Sequence, residues 1–442
     1  MYEFLDTLRS ITCLNPAYGM TYKHLIMIAI SLGLMYLAIA QKKEPFLLLP
    51  LAFGILLANM PGANLSAYFD HYLLQEYFSQ DTFYKGTQFL KGDLNPYYDP
   101  SQGGGLLYFI YKGIRPGGVG MPSAIPLLPP LIFLCLGAMS DFGPLISNWR
   151  VAIIGLGGQL GIFVAFGLYL LAIKFVLPLV GVLPEPGDSM LWGFSRMSLK
   201  EAACVGIIGS SDGPTSIYVA AKLGPHMLAA VAIAAFSYMG LVPFIQPPII
   251  KLLVRSQKER TCVMPEPRQA SQRTKILFPI AMTVVTLLLV PTAGALIGML
   301  MMGNLIRECG IVERYVDTLS NTAMNFMTLM LAFAIGSSAT AEYFLKPETL
   351  IILILGLVAF ASGTVGGVCA AKILFYTTKG KISPLIGNSG VSAMPMAARI
   401  SQRLGQEYNH QNHLLMHAMG PIVASTIGSA IVAGIFISLL TK

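Results

Sequence analysis

Apolar stretches interrupted by glycine and proline recur along nearly the whole chain. They run Leu25–Ala40, Phe46–Met60, Ile125–Met139, Val151–Pro178, Met227–Leu253, Ile276–Met301, Met324–Gly336, Leu350–Phe375 and Leu414–Leu440. A helix needs about 20 apolar residues to cross a bilayer straight, so the longer runs suffice and the first two are short. Charge is scarce to match: 11% of the 442 residues are charged and 55% are hydrophobic. A soluble domain carries roughly a quarter charged residues. The balance excludes a soluble enzyme, a disordered chain and a nucleic-acid binder. It leaves an all-α polytopic membrane protein whose partner is the lipid bilayer.

The charges that remain are sorted. Lys and Arg number 29 against 21 Asp and Glu, a net +8. In a membrane protein this excess belongs in cytoplasmic loops. Residues 251–275 fit, with Lys251, Arg255, Lys258, Arg260, Arg268, Arg273 and Lys275 against Glu259 and Glu266. Residues 63–104 are polar, aromatic and acidic, which suggests an interfacial segment on the outer side. Six cysteines show no C-x-x-C spacing, so no disulfide framework or zinc site is readable. The first residues lack a basic stretch followed by an apolar core, so no cleaved signal peptide is expected. The expected organisation is N-terminal membrane helices (1–62), an outer segment (63–104), a first membrane repeat (105–253), a basic cytoplasmic linker (254–275) and a second membrane repeat (276–442).

The repeat rests on particular residues. IIGSSDGPTSIYVAAK (207–222) and LIGNSGVSAMPMAAR (385–399) align with one gap, pairing Gly209 with Gly387, Ser211 with Ser389, and Ala220-Ala221-Lys222 with Ala397-Ala398-Arg399. Gly137 corresponds to Gly336, and Met239-Gly240 to Met419-Gly420. Gly- and Pro-broken segments at matching places in two halves point to an inverted-repeat, transporter-like fold with two broken helices.

Asp212 lies within the first break, between Gly209 and the pair Gly213-Pro214. A carboxylate at membrane depth costs roughly 2.5–3.5 kcal/mol on insertion scales unless something meets it. Hydroxyls (Ser210, Ser211, Thr215, Ser216), free carbonyls and this carboxylate make an all-oxygen set, suited to a hard cation such as Na+. Asp212 can equally cap the helix that follows. The second break offers Asn388, Ser389 and Ser392 but no acid. Lys222 and Arg399 close the two segments. Arg399 suits a substrate carboxylate, and Lys222 suits a snorkelling cation at a helix end. Tyr238 sits in a long apolar run, where a phenol commonly reaches a backbone carbonyl. His413 and His417 lie four apart but lack the acid of an H-E-x-x-H pair.

Longer motifs carry a resemblance. PFLLLPLAFGILLANMPG (45–62), LLYFIYKG (106–113), PPLIFLCLGAMSDFGPLI (129–146), FSYMGLVPFIQPPI (236–249), GNLIRECG (303–310) and GQEYNHQNHLLMHAMGP (405–421) stand in order with the two breaks. Together they resemble the beta subunits of the sodium-translocating, biotin-dependent decarboxylases of oxaloacetate, glutaconyl-CoA, methylmalonyl-CoA and malonate. The resemblance implies a multi-pass protein of the bacterial cytoplasmic membrane. It implies carboxybiotin, presented by a separate biotin carrier, losing CO2 here as a proton is consumed and Na+ is exported. The expected partners are a carboxyltransferase and biotin-carrier (alpha-type) subunit, a small gamma-type membrane subunit and further copies of the chain. By the same resemblance Asp212 is the Na+-binding carboxylate. Ser211, Thr215, Ser383, Asn388 and Ser389 complete the metal set. By that resemblance Tyr238 and Ser392 serve ion binding and proton delivery and Arg399 handles carboxybiotin; Lys222, from its place at the end of the first segment, is the second candidate for carboxybiotin. The chain departs from the family pattern at Ser210-Ser211, and at Ser383 and Ile422, where asparagine is expected. Ser211 or Asn388 would restore part of a cage that lacks those two amide oxygens. The rival readings are a Na+/solute transporter without catalysis, a proton-coupled or uncoupled decarboxylase, and a non-catalytic scaffold.

Overall fold

A computed structural model of the chain describes residues 22–40, 45–60, 127–175, 190–191, 194–265, 270–345, 347–393 and 396–441. The outer segment expected at 63–104, the motif at 106–113 and the N-terminal residues lie outside them. The described residues are mostly helical, with one short ladder pairing Met190–Leu191 with Phe194–Ser195. Six helices among them are long and apolar enough to cross a membrane, and a seventh qualifies if Leu228–Met239 and Leu241–Leu253 count as one span bent by 61°. Pro243 lies just past that bend and cannot donate to the Met239 carbonyl one turn earlier, which removes a rung where the axis turns. Large apolar side chains such as Leu288 and Leu289 stay exposed, the dress of a surface meant for lipid.

The described residues fall into two compact units. One gathers those of Met1–Leu128 with Pro225–Ile233 and Asn325–Leu350; the other holds Pro129–Gly224, Ala234–Met324 and Ile351–Lys442. These units follow packing, so they cut across the sequence repeats. In the first, α1 (Tyr22–Ile39) and α2 (Pro45–Ala58) form a hairpin, with Ser31 Oγ donating to Ala52 O at 2.9 Å. The second holds α3 (Leu128–Met139), α4 (Gly143–Ser147), α5 (Ala152–Gly158), α6 (Leu160–Phe175), α7 (Arg196–Gly206) and α8 (Gly213–Leu223). After α9 (Leu228–Leu253) come α10 (Gln257–Arg260), α11 (Gln272–Leu289), α12 (Gly294–Cys309) and α13 (Glu313–Asp317). Then follow α14 (Met324–Ser338), α15 (Ala341–Phe344), α16 (Pro347–Thr377), α17 (Met396–Tyr408) and α18 (Leu415–Leu440).

Two helix contacts share one plan. In the first unit a β-carbon on Gly54 of α2 would lie 2.9 Å from Ser337 N of α14, and one on Gly336 would strike Leu51 O. In the second, a β-carbon on Gly303 of α12 would lie 2.8 Å from Ala138 N of α3, and one on Gly137 would strike Leu300 O. Each contact is locked by an asparagine amide on the carbonyl three residues past a glycine. Asn59 Nδ2 donates to Ala339 O at 2.7 Å, and Asn304 Nδ2 to Ser140 O at 3.0 Å. Glycine lets the backbones approach this closely, and the amide fixes the register.

The basic segment after α9 is tied down. Glu259 of α10 is buried, its Oε1 2.8 Å from the donating Tyr376 hydroxyl and 3.4 Å from Lys372 Nζ on α16. Asn412 Nδ2 donates to Cys262 O at 3.0 Å, and the Arg260 guanidinium lies 5.0 Å from the Tyr408 ring centre. The ends of α16, α17 and α18 thus share the side of this basic loop.

Gly298 in the same α12 helix has open space around it, whereas Gly303 faces backbone. Gly303→Val is expected to cost about 1–3 kcal/mol or more by overpacking, and Gly298→Val less than about 0.5 kcal/mol. Thermal unfolding of the purified protein distinguishes the two, and equal losses would remove the close contact as a source of stability.

Candidate functional site

Two interruptions of regular helix meet inside the second unit. In the first, α7 tightens into a 3-10 turn, Ile207–Ser210, and Ser211 reverses the chain in a left-handed conformation (φ 58°, ψ 33°). That conformation costs a non-glycine residue roughly 1–2 kcal/mol, and it turns the next residue back inward. Asp212 is extended and caps α8, its Oδ1 accepting from Thr215 N at 3.4 Å while Pro214 occupies the first turn. Capping is not its whole occupation. Oδ2 accepts from Thr215 Oγ1 at 2.7 Å and from Ser429 Oγ of α18 at 2.9 Å, and the side chain is 4% exposed. Among the described residues no basic side chain pairs with it. Neutral hydroxyls and one long amide contact leave a buried carboxylate only partly compensated, with lone pairs to spare on Oδ1.

The second interruption starts at Ser383, whose Oγ accepts from Leu385 N at 3.4 Å and caps the 3-10 turn Pro384–Gly390. The chain then runs extended through Val391 towards α17. Ser392 N donates to Ser210 O at 3.0 Å, so one peptide hydrogen bond joins the two breaks. Ser392 Oγ donates to Ser425 Oγ at 3.0 Å, and Ser425 Oγ also accepts from Gln159 Nε2 at 2.9 Å. Glycines make the floor. A β-carbon on Gly161 would lie 2.8 Å from Gly209 O, and one on Gly363 of α16 would lie 3.0 Å from Gly209 O.

Asn388 and Ser389 belong to a neighbouring polar cluster. Asn388 Nδ2 donates to Ala397 O at 2.8 Å and to Gln246 Oε1 at 3.2 Å, and its Oδ1 accepts from Ser401 Oγ at 2.6 Å. Ser389 Oγ lies 3.2 Å from Ser401 Oγ. The structure therefore brings Asp212 and Thr215 together, sets Ser392 beside Ser210, and commits Asn388, Ser389 and Ser383 to other partners. The buried Ser211 hydroxyl has no partner. Tyr238 is buried on α9 and donates to Leu353 O of α16, with its ring over Gly356. Lys222 is half-buried in the last turn of α8. Arg399 stands exposed on α17, one turn before the exposed Arg403.

Ser429, Ser425, Gln159, Gln246 and Ser401 were missed in the sequence reading. Their signal was there in part, since carboxamides at 159 and 246 interrupt apolar runs and Ser425 and Ser429 share one face of α18 at helical spacing. Among the described residues no three His, Cys, Asp or Glu side chains cluster. The donors at the crossing are carboxylate, hydroxyl, amide and carbonyl oxygens, a set matched to hard cations and not to zinc or copper.

A family model described as the Na+-transporting oxaloacetate decarboxylase beta subunit matches residues 23–440. The chain belongs to this family. It is similar to the methylmalonyl-CoA decarboxylase subunit beta of Propionigenium modestum, at 44% identity over 96% of each chain. It is 43% identical to the oxaloacetate decarboxylase beta chain 2 of Salmonella typhi, over 95% of this chain and 96% of that one. The glutaconyl-CoA decarboxylase subunit beta of Acidaminococcus fermentans is 41% identical over 100% of this chain and 99% of its own length. As a member of the decarboxylase beta-subunit family the chain is an all-α, multi-pass membrane protein. Two positions where the resemblance leads one to expect asparagine are visible in structure. Ser383 spends its hydroxyl on a cap, and Ile422 is fully buried with no side-chain oxygen to offer.

Thr215→Val removes the shortest hydrogen bond to Asp212. A hydrogen bond to a charged group is worth about 1.5–3 kcal/mol, and loss of that order is expected in the unfolding of the purified protein. Ser429→Ala, at 2.9 Å, should cost no more than Thr215→Val. Wild-type stability in both variants would mean that neither hydroxyl supports the carboxylate.

Proposed function

We propose that this chain is the membrane subunit in which carboxybiotin, carried by a separate subunit, loses CO2 while Na+ moves outward across the bacterial cytoplasmic membrane. The observation that carries the reading is Asp212, a buried carboxylate where two helix breaks meet, held by hydroxyls and, among the described residues, paired with no basic side chain. A cation is the natural complement of such a group. Family membership supplies the reaction, and this buried acid supplies a reason for Na+.

The chemistry is balanced simply. The N–COO− bond of carboxybiotin breaks, CO2 leaves, and the ring nitrogen takes a proton. Arg399 is exposed on α17, and Lys251 on the basic side pairs with Glu407 near the end of that helix at 2.7 Å. Arg399 is thus available to the carboxylate of an incoming carboxybiotin, with a planar fork suited to it. Lys222 supplies a second, more buried cation. Ser392 and Tyr238 are the candidate proton donors. In this conformation Ser392 donates to Ser425 and Tyr238 to Leu353 O, so either must leave that acceptor to serve. Thr215 and Ser211 contribute oxygens beside Asp212. Ser383, Asn388 and Ser389 act on the second break as cap and brace.

Moving one cation outward against about 100 mV costs roughly 2.3 kcal/mol. Decarboxylation drives it only if turnover depends on ion occupancy. The Ser392–Ser210 hydrogen bond supports such coupling, because the break that carries Ser392 is bonded to the break that carries Asp212. We infer that the two halves are inverted repeats. The matched glycine-and-asparagine contacts support this, as do the paired 3-10 breaks. The partners we assign are an alpha-type carboxyltransferase and biotin-carrier subunit, a gamma-type membrane subunit and further copies of this chain.

The test is Asp212→Asn in the assembled complex, in inverted vesicles, with carboxybiotin decarboxylation and 22Na+ uptake read together. Both should fall at least tenfold, and Na+ stimulation should vanish. Normal Na+-stimulated turnover would refute the assignment. The lack of amide oxygens at Ser383 and Ile422 favours a second reading, proton coupling; wild-type turnover independent of Na+ at fixed pH would select it.

A further inference from the structure

Gln159 occupies the one-residue turn between α5 and α6. Its neighbours hold it between the two breaks. A β-carbon on Gly158 would strike Gly390 O of the second break, and Gly161 packs on Gly209 O of the first. The side chain is 4% exposed and reaches α18. Its Nε2 donates to Ser425 O at 3.1 Å and to Ser425 Oγ at 2.9 Å. A backbone carbonyl can only accept, so the nitrogen is fixed on that side and Oε1 must point the other way. There Oε1 is fully buried and meets no donor.

This orphan oxygen does not stand alone. The Gln159 amide lies along Gly428, where an added β-carbon would sit 3.3 Å from Nε2, and Gly428 precedes the Ser429 that donates to Asp212. Ser211 Oγ, next to Asp212 in the chain, is likewise buried without a partner among the described residues, as are Asn304 Oδ1 and Asn412 Oδ1 elsewhere in the unit. Among the described residues, the crossing therefore holds a carboxylate, unpartnered oxygens on Gln159 and Ser211, and no basic side chain paired with the acid. Surplus lone pairs around one negative charge are what a small, hard cation satisfies.

We propose that Gln159 is a ligand of the translocated cation, its Oε1 joining Asp212 around the ion, and that Ser425 is the positioning residue that keeps the amide turned that way. The inference rests on the Na+-moving reading above. The choice of a carboxamide follows from electrostatics. One carboxylate plus one monovalent cation is neutral, and a neutral loaded site is the form best tolerated at membrane depth. A second carboxylate at 159 would leave the loaded site negative.

The test compares wild type, Gln159→Met, Gln159→Glu and Ser425→Ala. Thermal unfolding of each purified protein is followed as Na+ replaces choline at constant ionic strength. The Na+ dependence of decarboxylation by the assembled complex is measured alongside. A ligand bound by the folded state raises stability in proportion to its occupancy, so the midpoint reports affinity. Gln159→Met should raise the Na+ midpoint about tenfold in both measurements. Ser425→Ala should raise it less, since the residue-425 carbonyl still fixes the sense of the amide while the hydroxyl, its second anchor, is lost. Gln159→Glu should keep Na+-dependent stabilisation and lose Na+ export. Unchanged midpoints in Gln159→Met and Ser425→Ala, with lower unfolding temperatures in choline, would overturn the inference and make Gln159 a structural clamp. If Gln159→Met does not fold, Ser425→Ala decides by the same midpoint. A wild-type protein that turns over without any Na+-dependent stabilisation would instead defeat the Na+ reading itself, and this inference with it.

Discussion

A carboxylate kept in an apolar interior by two hydroxyls is the constraint around which the site is organised. Asp212 cannot lie at that depth without donors, so Thr215 must follow it at helix-capping distance and α18 must bring Ser429 alongside. For α18 to come so close, the breaks must be thin. Glycines at 158, 161, 209, 363 and 390 let the breaks touch one another, and Gly155, where a β-carbon would lie 2.8 Å from Ser425 N, lets α18 come close. The left-handed Ser211 is the local strain that turns the acid inward.

The same logic accounts for the rest of the polar interior. Several buried amides and hydroxyls near the crossing spend their donors on neutral acceptors: Asn388 on Ala397 and Gln246, Gln159 on Ser425, Ser392 on Ser425. What is left over is acceptor capacity, at Asp212, Gln159 and Ser211. An interior short of donors and free of paired cations is chemically biased before any ion arrives. The exposed Arg399 supplies charge of the opposite sign at a separate place, on a helix whose far end reaches the basic loop.

Much of this was legible in the sequence because it is local. The clusters Gly-Ser-Ser-Asp-Gly-Pro and Gly-Asn-Ser-Gly mark the breaks, and Asp212 with Thr215 is a capping pair readable at a spacing of three. Gly137 and Gly336 were aligned as sequence echoes, and both pack glycine on backbone beside an asparagine. Ser429 and Gln159 were legible only as polar interruptions of apolar runs, not as parts of the site. Their partners lie 217 and 266 residues away, and a lone serine or glutamine in an apolar run carries no address. The segment after α9 read as a basic linker, yet Glu259 within it is buried against Tyr376 and Lys372. Charge counting sees the majority sign and misses the single acid that folds inward.

The hydrogen bond from Ser392 N to Ser210 O joins a residue near the middle of the chain to one in its last quarter. Its atoms belong to the main chain, so no side-chain substitution can tune it; only backbone placement can. A chimaera that takes its opening portion from one relative and its closing portion from another must therefore match at that seam to within a few tenths of an ångström. Recombination within such genes would be tolerated outside the interval between the two serines far more readily than inside it.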